Sequence, residues 1–127
     1  LDWAEECGGY QGLKARSDRS LEILTDWVAK TEWIEFLCAD DAVRSNSGVT
    51  FSIVHPTFAK LDEAGQRAFL KRMMTRLEGE DACFDANGYA KAPPGLRIWC
   101  GATVEPDDVA KLTPWLDWTC AEELAAL

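Results

Sequence analysis

The sequence predicts an α+β domain in which an about four-stranded, mainly antiparallel sheet carries helices on one face. Helical patterns alternate with pairs of short strand patterns, in the order helix, strand, strand, helix, strand, strand, helix. Short loops join the strands within each pair, and such strands pair antiparallel. The 127 residues, 47% of them hydrophobic, suffice for one domain with its own core. No linker, repeat or low-complexity segment divides residues 1–127, so we expect a single domain.

A long amphipathic helix is predicted over residues 13–30. Leu, Trp and Val recur there at helical spacing, while charged residues face away. Before it, residues 1–12 start inside a helical pattern that has no N-cap, and Gly8 and Gly9 stop that pattern. We therefore expect residues 1–12 to be the tail of a larger upstream domain or of a connecting helix, and the chain to be a fragment.

Strands and helices are also predicted along the rest of the chain. Runs of strand-forming residues predict the four strands at residues 32–39, 48–56, 81–86 and 95–101. A helix from its N-cap Asp62 to Gly79 separates the two pairs of strands. The last helix starts at Pro106, a residue favoured at the first helical position. Pro114 is expected to kink or interrupt it.

The charge of the chain argues against some partners. With 22 acidic and 13 basic residues, the formal net charge is −9, which is unsuited to binding the phosphates of nucleic acids. No stretch reaches the roughly 20 apolar residues of a membrane-spanning helix, and no signal-peptide pattern opens the chain. We therefore expect a cytoplasmic protein without nucleic-acid or membrane partners.

Cysteine, histidine and acidic residues give no sign of a metal site. The five cysteines are odd in number and form no C-x-x-C pair, and we expect them to be reduced core residues. His55 is the only histidine, which argues against a zinc finger. The acidic cluster of Glu105, Asp107 and Asp108 lies at a helix start, where the helix dipole accounts for it. We expect neither a bound metal nor a nucleophilic cysteine.

Arg97 is the candidate functional residue, because it stands in the apolar run Leu-Arg-Ile-Trp-Cys. Strand alternation places Arg97 and Trp99 on one face, and Leu96, Ile98 and Cys100 on the other. A buried arginine needs an anionic partner. One reading is an arginine on the solvated face; the other is a fixed guanidinium whose planar fork grips a carboxylate.

Neighbouring loops supply further candidates. The segment of two prolines and a glycine at residues 93–95 would hold the loop before Arg97 stiff. Arg44, Tyr89 and Lys91 lie in polar loops near strand ends, where anionic ligands are often held. Each of the three is otherwise an ordinary solvated surface residue.

Long motifs of this chain resemble phosphoserine aminotransferases. They are APPGLRIWCGATVE, LTPWLDW, RSNSGVTFSIV and GGYQGLKARSD, and they occur in the order of the C-terminal part of that family. The resemblance implies the aspartate aminotransferase fold of class V aminotransferases, a pyridoxal 5'-phosphate cofactor and a cytoplasmic homodimer. It implies a reaction of serine biosynthesis that converts 3-phosphohydroxypyruvate and glutamate to phosphoserine and 2-oxoglutarate. This chain would be the small C-terminal domain, which closes over the substrate.

The resemblance also implies site residues. Arg97 matches the arginine of the family's G-[LM]-R motif, which binds the substrate α-carboxylate. Many relatives place a His-Arg pair before this motif to hold the substrate phosphate; here the pair is absent, and Lys91 is the nearest cation. Arg44 is a further substrate-binding candidate. No lysine of this chain matches the Schiff-base motif, so we expect no catalytic residue, no bound cofactor and no activity in this fragment alone.

Two alternatives stay open. The chain has a core large enough for a free-standing α+β module that binds an anionic metabolite or a partner. It also fits another aminotransferase of the same fold, such as one acting on alanine or serine with glyoxylate. Arg97 does not separate these enzymes, because the α-carboxylate is common to their substrates.

Overall fold

A computed structural model describes the whole chain, residues 1–127. The helices are α1 (Asp2–Glu6), α2 (Gly9–Val28), α3 (Pro56–Ala59), α4 (Glu63–Gly79) and α5 (Pro106–Ala125). A single 3-10 turn covers Asp41–Val43. The strands are β1 (Ile34–Phe36), β2 (Gly48–Ile53) and β3 (Leu96–Trp99). None of the helices combines the length and the apolar character that a membrane span requires.

The three strands form one antiparallel sheet with β2 in the middle. The register places Phe36 and Leu96 on either side of Phe51, and buried residues alternate with partly exposed ones along β2. The buried face joins residues of α2, α4 and α5 in one hydrophobic core of 19 residues. On the other face, Thr50 and Arg97 stand opposite each other. The predicted α+β class and antiparallel pairing are confirmed.

The predicted fourth strand at residues 81–86 is wrong. Asp81 and Asp85 have φ angles of 53° and 54°, in the left-handed region that a strand cannot contain. On the side of β3 that β2 does not cover, this segment forms only a short bridge, beside which the Arg97 amide donates to the Ala86 carbonyl oxygen at 2.7 Å. The segment therefore meets β3 only at its end, at Ala86 and Asn87.

The long helix predicted over residues 13–30 starts earlier than expected. Gly8, with a φ of 94°, separates α1 from α2, so the predicted break at Gly8 is confirmed, but α2 already begins at Gly9. Gly12 lies inside α2, where an added Cβ would lie 1.7 Å from the Cys7 carbonyl oxygen. Glycine at this position thus permits a close approach between the end of α1 and the first turns of α2.

Pro114 does not interrupt α5, which runs unbroken from Pro106 to Ala125. A proline has no amide hydrogen, so the Ala110 carbonyl loses its usual donor. The Thr113 hydroxyl donates to that carbonyl oxygen at 3.1 Å. This side-chain hydrogen bond satisfies the acceptor that Pro114 leaves free and lets the helix continue.

A buried carboxylate joins α4 to α5. Glu123 is 2% exposed, and its two carboxylate oxygens accept hydrogen bonds from Nε of Arg72 and Nε of Arg76, each at 2.6 Å. Burial alone would raise the pKa of Glu123, but the hydrogen bonds from Arg76 and Arg72 outweigh burial and lower it below its usual value. Glu123 therefore stays charged at neutral pH and holds the two helices together.

A second carboxylate connects α5 to two tryptophans. Asp117 accepts hydrogen bonds from Nε1 of Trp27 at 3.1 Å and from Nε1 of Trp33 at 2.9 Å. The two indole rings meet edge to face, with centroids 5.8 Å apart. Asp117 thus fixes the packing of α5 on α2 and on the start of β1.

We expect Asp117→Ala to lower the free energy of unfolding by about 1–2 kcal/mol, because it leaves the buried indole N–H of Trp27 without an acceptor. Urea denaturation followed by tryptophan fluorescence measures the change. Asp26→Ala, an exposed aspartate of α2 without a hydrogen bond, is the control. Equal stability of the two variants would contradict the role of Asp117.

Candidate functional site

Arg97 lies in β3 between the buried residues Leu96 and Ile98. Its side chain is 26% exposed and stands on the sheet face that carries Thr50 and Trp99. The predicted division of β3 into two faces is confirmed. Arg97 is thus held by a strand whose neighbouring side chains are anchored in the core.

Tyr89 holds one end of the Arg97 guanidinium. Nη1 of Arg97 donates a hydrogen bond to the Tyr89 hydroxyl at 2.5 Å, and the guanidinium carbon lies 4.2 Å from the centre of the Tyr89 ring. Both contacts restrict the rotation of the guanidinium. The other edge is less engaged, since Nε of Arg97 is buried without a hydrogen-bond partner.

Asp85 is the only acidic partner of Arg97. Its Oδ2 lies 3.6 Å from Nη2 of Arg97, and its side chain is 83% exposed. A charge-assisted hydrogen bond between such groups measures about 2.7–2.9 Å, so this pair is loose. The positive charge of Arg97 therefore stays available to an anion that makes closer contact.

The loop before β3 is fixed at both sides. Gly95 is pressed on β2, since an added Cβ would lie 2.1 Å from the Phe51 carbonyl oxygen. The Gly88 amide donates to the Gly95 carbonyl at 3.0 Å, and Nη2 of Arg67 donates to the Ala92 carbonyl at 3.0 Å. These contacts support the interpretation of residues 93–95 as a stiff entry to the strand.

Lys91 and Arg44 do not contact Arg97. Lys91 is exposed on the loop that precedes β3, and its side chain forms neither an ion pair nor a hydrogen bond. Nε and Nη2 of Arg44 donate to the Cys38 carbonyl at 3.1 and 2.9 Å, and its guanidinium carbon lies 3.8 Å from the centre of the Phe36 ring. Arg44 closes its own loop, and a role in substrate binding would require it to leave these contacts.

Asp85 was not predicted as a site residue. It lies in the segment assigned to a strand, and only the sequence Asp-Ala-Asn-Gly at residues 85–88 signals a turn there. Tyr89 was identifiable only as one of several polar-loop residues. Reading residues 85–88 as a turn would have placed both side chains beside the following strand.

Two cavities matter for the choice of site. One of about 190 Å³ borders Arg97 and is lined by aromatic and acidic neighbours, among them Phe84, Asp85 and Trp99. The largest, of about 480 Å³, is lined by one lysine, Lys30, and by two carboxylates, Glu32 and Asp117. Of these two cavities, the one beside Arg97 better matches an anionic ligand, because Arg97 presents a guanidinium there.

The surroundings of the cysteines and of His55 account for them as parts of the fold. All five cysteines are free; Cys100 and Cys120 lie in the core and the partly buried Cys83 packs against it, whereas the expected core position is wrong for Cys7 and Cys38. Burial raises the pKa of Cys100 to about 11 and that of Cys120 to about 12, which keeps both thiols protonated. Nδ1 of His55 accepts a hydrogen bond from the Thr57 amide at the start of α3. No three metal-ligating side chains come together.

Comparisons with known proteins give one consistent result. No family model matches the chain. It is 38% identical over 118 residues to a phosphoserine aminotransferase of Methanosarcina mazei, and 39% identical over 118 residues to that of Methanosarcina barkeri. Each match covers 93% of this chain and 29% of the relative, so the chain spans less than a third of the length of these proteins.

A solved structure shares the fold. The phosphoserine aminotransferase from Bacillus circulans subsp. alkalophilus matches with a TM-score of 0.72 and 19% identity, over 95% of this chain and 30% of that one. The resemblance to phosphoserine aminotransferases that the motifs indicated is confirmed by the relatives.

Proposed function

We propose that this chain is the C-terminal, substrate-closing domain of a phosphoserine aminotransferase, with residues 1–12 connecting it to a larger domain. The observation that carries the proposal is Arg97, whose Nε is buried without a hydrogen-bond partner, in a chain 38% identical to such an enzyme. The complete enzyme would convert 3-phosphohydroxypyruvate and glutamate to phosphoserine and 2-oxoglutarate in serine biosynthesis. We also propose that it is a cytoplasmic homodimer.

Arg97 would bind the α-carboxylate of each substrate. All four of these acids carry that group, so one arginine can serve both directions of the reaction. The planar guanidinium offers two parallel N–H donors to a carboxylate, which fixes the orientation of the acid as well as its position. Orientation matters in transamination, because the α-bond that breaks must stand perpendicular to the cofactor ring.

We propose no residue of this chain as the lysine that holds the cofactor. All six lysines are exposed on its surface, and none of them lies beside Arg97. Pyridoxal 5'-phosphate, which supplies an electron sink to transaminases, would therefore be held by the remainder of the enzyme. The role proposed for this domain is to bind, orient and enclose the substrate.

The surroundings of Arg97 agree with a domain that closes. Three aromatic side chains near it, Phe84, Tyr89 and Trp99, are more than half exposed. In a closed enzyme they would be covered, and their burial would exclude water from the substrate carboxylate. Lys91, exposed on the loop that carries Tyr89, is the proposed contact for the substrate phosphate.

Assaying the complete protein encoded by the gene tests the proposal. We expect it to transfer the amino group from phosphoserine to 2-oxoglutarate, and residues 1–127 alone to be inactive. Alanine and serine with glyoxylate are the comparison substrates. Activity with these and none with phosphoserine would favour the other aminotransferase, and a gene that encodes residues 1–127 alone would favour the free-standing module.

A further inference from the structure

We infer that Asp85 is a displaceable internal counter-ion, which occupies the carboxylate-binding edge of Arg97 until a substrate acid replaces it. The inference rests on the proposed function and adds a competitor to the site. Asp85 is the acidic partner of Arg97, and its closest approach to the guanidinium, 3.6 Å at Nη2, is too long for a hydrogen bond.

The contacts of the guanidinium decide which edge is open. A carboxylate can bind two nitrogens at once either at Nη1 and Nη2 or at Nε and Nη2. Tyr89 already accepts a hydrogen bond from Nη1 of Arg97. Nε has no partner, and Nη2 faces Asp85 at 3.6 Å. The edge formed by Nε and Nη2 is therefore the one that receives a ligand.

Asp85 holds this edge weakly. Its side chain is 83% exposed, lies 3.6 Å from Nη2 at its closest, and makes no hydrogen bond to the guanidinium. Ion pairs that are this exposed contribute little to stability, because water competes for both charges. A free acid that bonds to Nε and Nη2 together makes two short contacts, and Asp85 can return to water. The cavity of about 190 Å³ that both residues line gives the acid room.

A competitor of this kind weakens the apparent affinity for the substrate. The apparent dissociation constant rises as the fraction of molecules with a free edge falls. For an exposed ion pair the expected factor is about two to five. The device also keeps the arginine from binding other anions tightly when no substrate is present.

Asp85→Asn in the complete enzyme tests the inference. Asparagine tolerates the left-handed backbone at residue 85 and removes the charge. We expect KM for phosphoserine and for glutamate to fall about two- to fivefold, with the change carried by KM rather than by kcat. Asp81→Asn is a matched control, because Asp81 lies in the same segment at nearly the same φ but forms no ion pair.

A second measurement does not depend on activity. Phenylglyoxal modifies arginines, and peptide mass mapping reports the modification at Arg97 and its protection by L-glutamate. We expect the half-protecting glutamate concentration to fall about two- to fivefold in Asp85→Asn and to stay unchanged in Asp81→Asn.

The outcomes separate this inference from the proposed function. If transamination of phosphoserine is observed but neither KM nor protection changes in Asp85→Asn, the counter-ion role is overturned and the proposed function stands. If no transamination occurs but the protection shift is found, the proposed function fails and the counter-ion role stands. An equal change in Asp81→Asn would mean that the net negative charge acts at a distance, which also overturns the role.

Discussion

Replacing Arg97 by alanine in the complete enzyme is expected to lower kcat/KM roughly 30- to 1,000-fold for phosphoserine and for glutamate alike. The lost contact is a charge-assisted, two-point grip on a carboxylate, worth about 2–4 kcal/mol, and each 1.4 kcal/mol is a factor of ten. Both substrates lose the same contact because both present the same group. Steady-state kinetics with each substrate varied in turn measures the effect.

Two further variants test whether the loss comes from the two-point hydrogen bonding of Arg97 to the carboxylate. Arg97→Lys keeps the charge but loses the planar fork, so its loss should lie between wild type and Arg97→Ala. Arg19→Ala removes an exposed arginine of α2 that pairs with Glu22, and should leave the kinetics unchanged. A loss for only one of the two substrates would contradict the shared role, and unchanged kinetics of Arg97→Ala would remove it.

Glu123→Gln is expected to lower the free energy of unfolding by about 2–3 kcal/mol at pH 7. Removing one partner of a buried ion pair costs about 3–5 kcal/mol. We expect a smaller loss here, because the side chains of Arg72 and Arg76 are 47% and 38% exposed and water can solvate their charges. The glutamine amide has one acceptor oxygen for two arginine donors. Chemical denaturation at equilibrium gives the difference.

The pH dependence of this difference has a definite sign. The pKa of Glu123 in the folded chain lies below that of an unfolded glutamate, about 4.3. A carboxyl group whose pKa is lower in the folded chain stabilises the fold at any pH above its pKa in the unfolded chain. This stabilisation is lost as the pH falls through its pKa in the folded chain. The gap between wild type and Glu123→Gln should thus be full at pH 6–7 and shrink below about pH 4. Glu122→Gln, a neighbouring exposed glutamate, should show neither effect.

The strand that carries the site was predictable from the sequence because its pattern is local. Alternation along residues 95–101 set the two faces of β3, and the same rule gave β2. The apolar neighbours of Arg97 also marked it as unusual before any contact was known. Periodicity of this kind needs no information about residues far away in the chain.

What escaped prediction depends on contacts between separate segments. Residues 81–86 contain strand-forming residues, yet the left-handed backbone of Asp81 and Asp85 follows from how α4 ends and where β3 lies. The continuity of α5 depends on the Thr113 hydroxyl at one carbonyl, which propensity does not report. The loose pairing of Asp85 with Arg97 arises from the same turn. Tertiary contacts decide such details.

The tether between Arg67 and the Ala92 carbonyl has a mechanical consequence. It fastens the loop of Tyr89 to α4, and the close packing of Gly95 on β2 holds the end of the loop on the sheet, so we expect Tyr89 and Arg97 to move together with the rest of the domain. The domain would then close as a rigid body, with the hinge confined to the segment that attaches it to the rest of the enzyme. The hinge angle alone would set the position of the Arg97 guanidinium relative to the substrate.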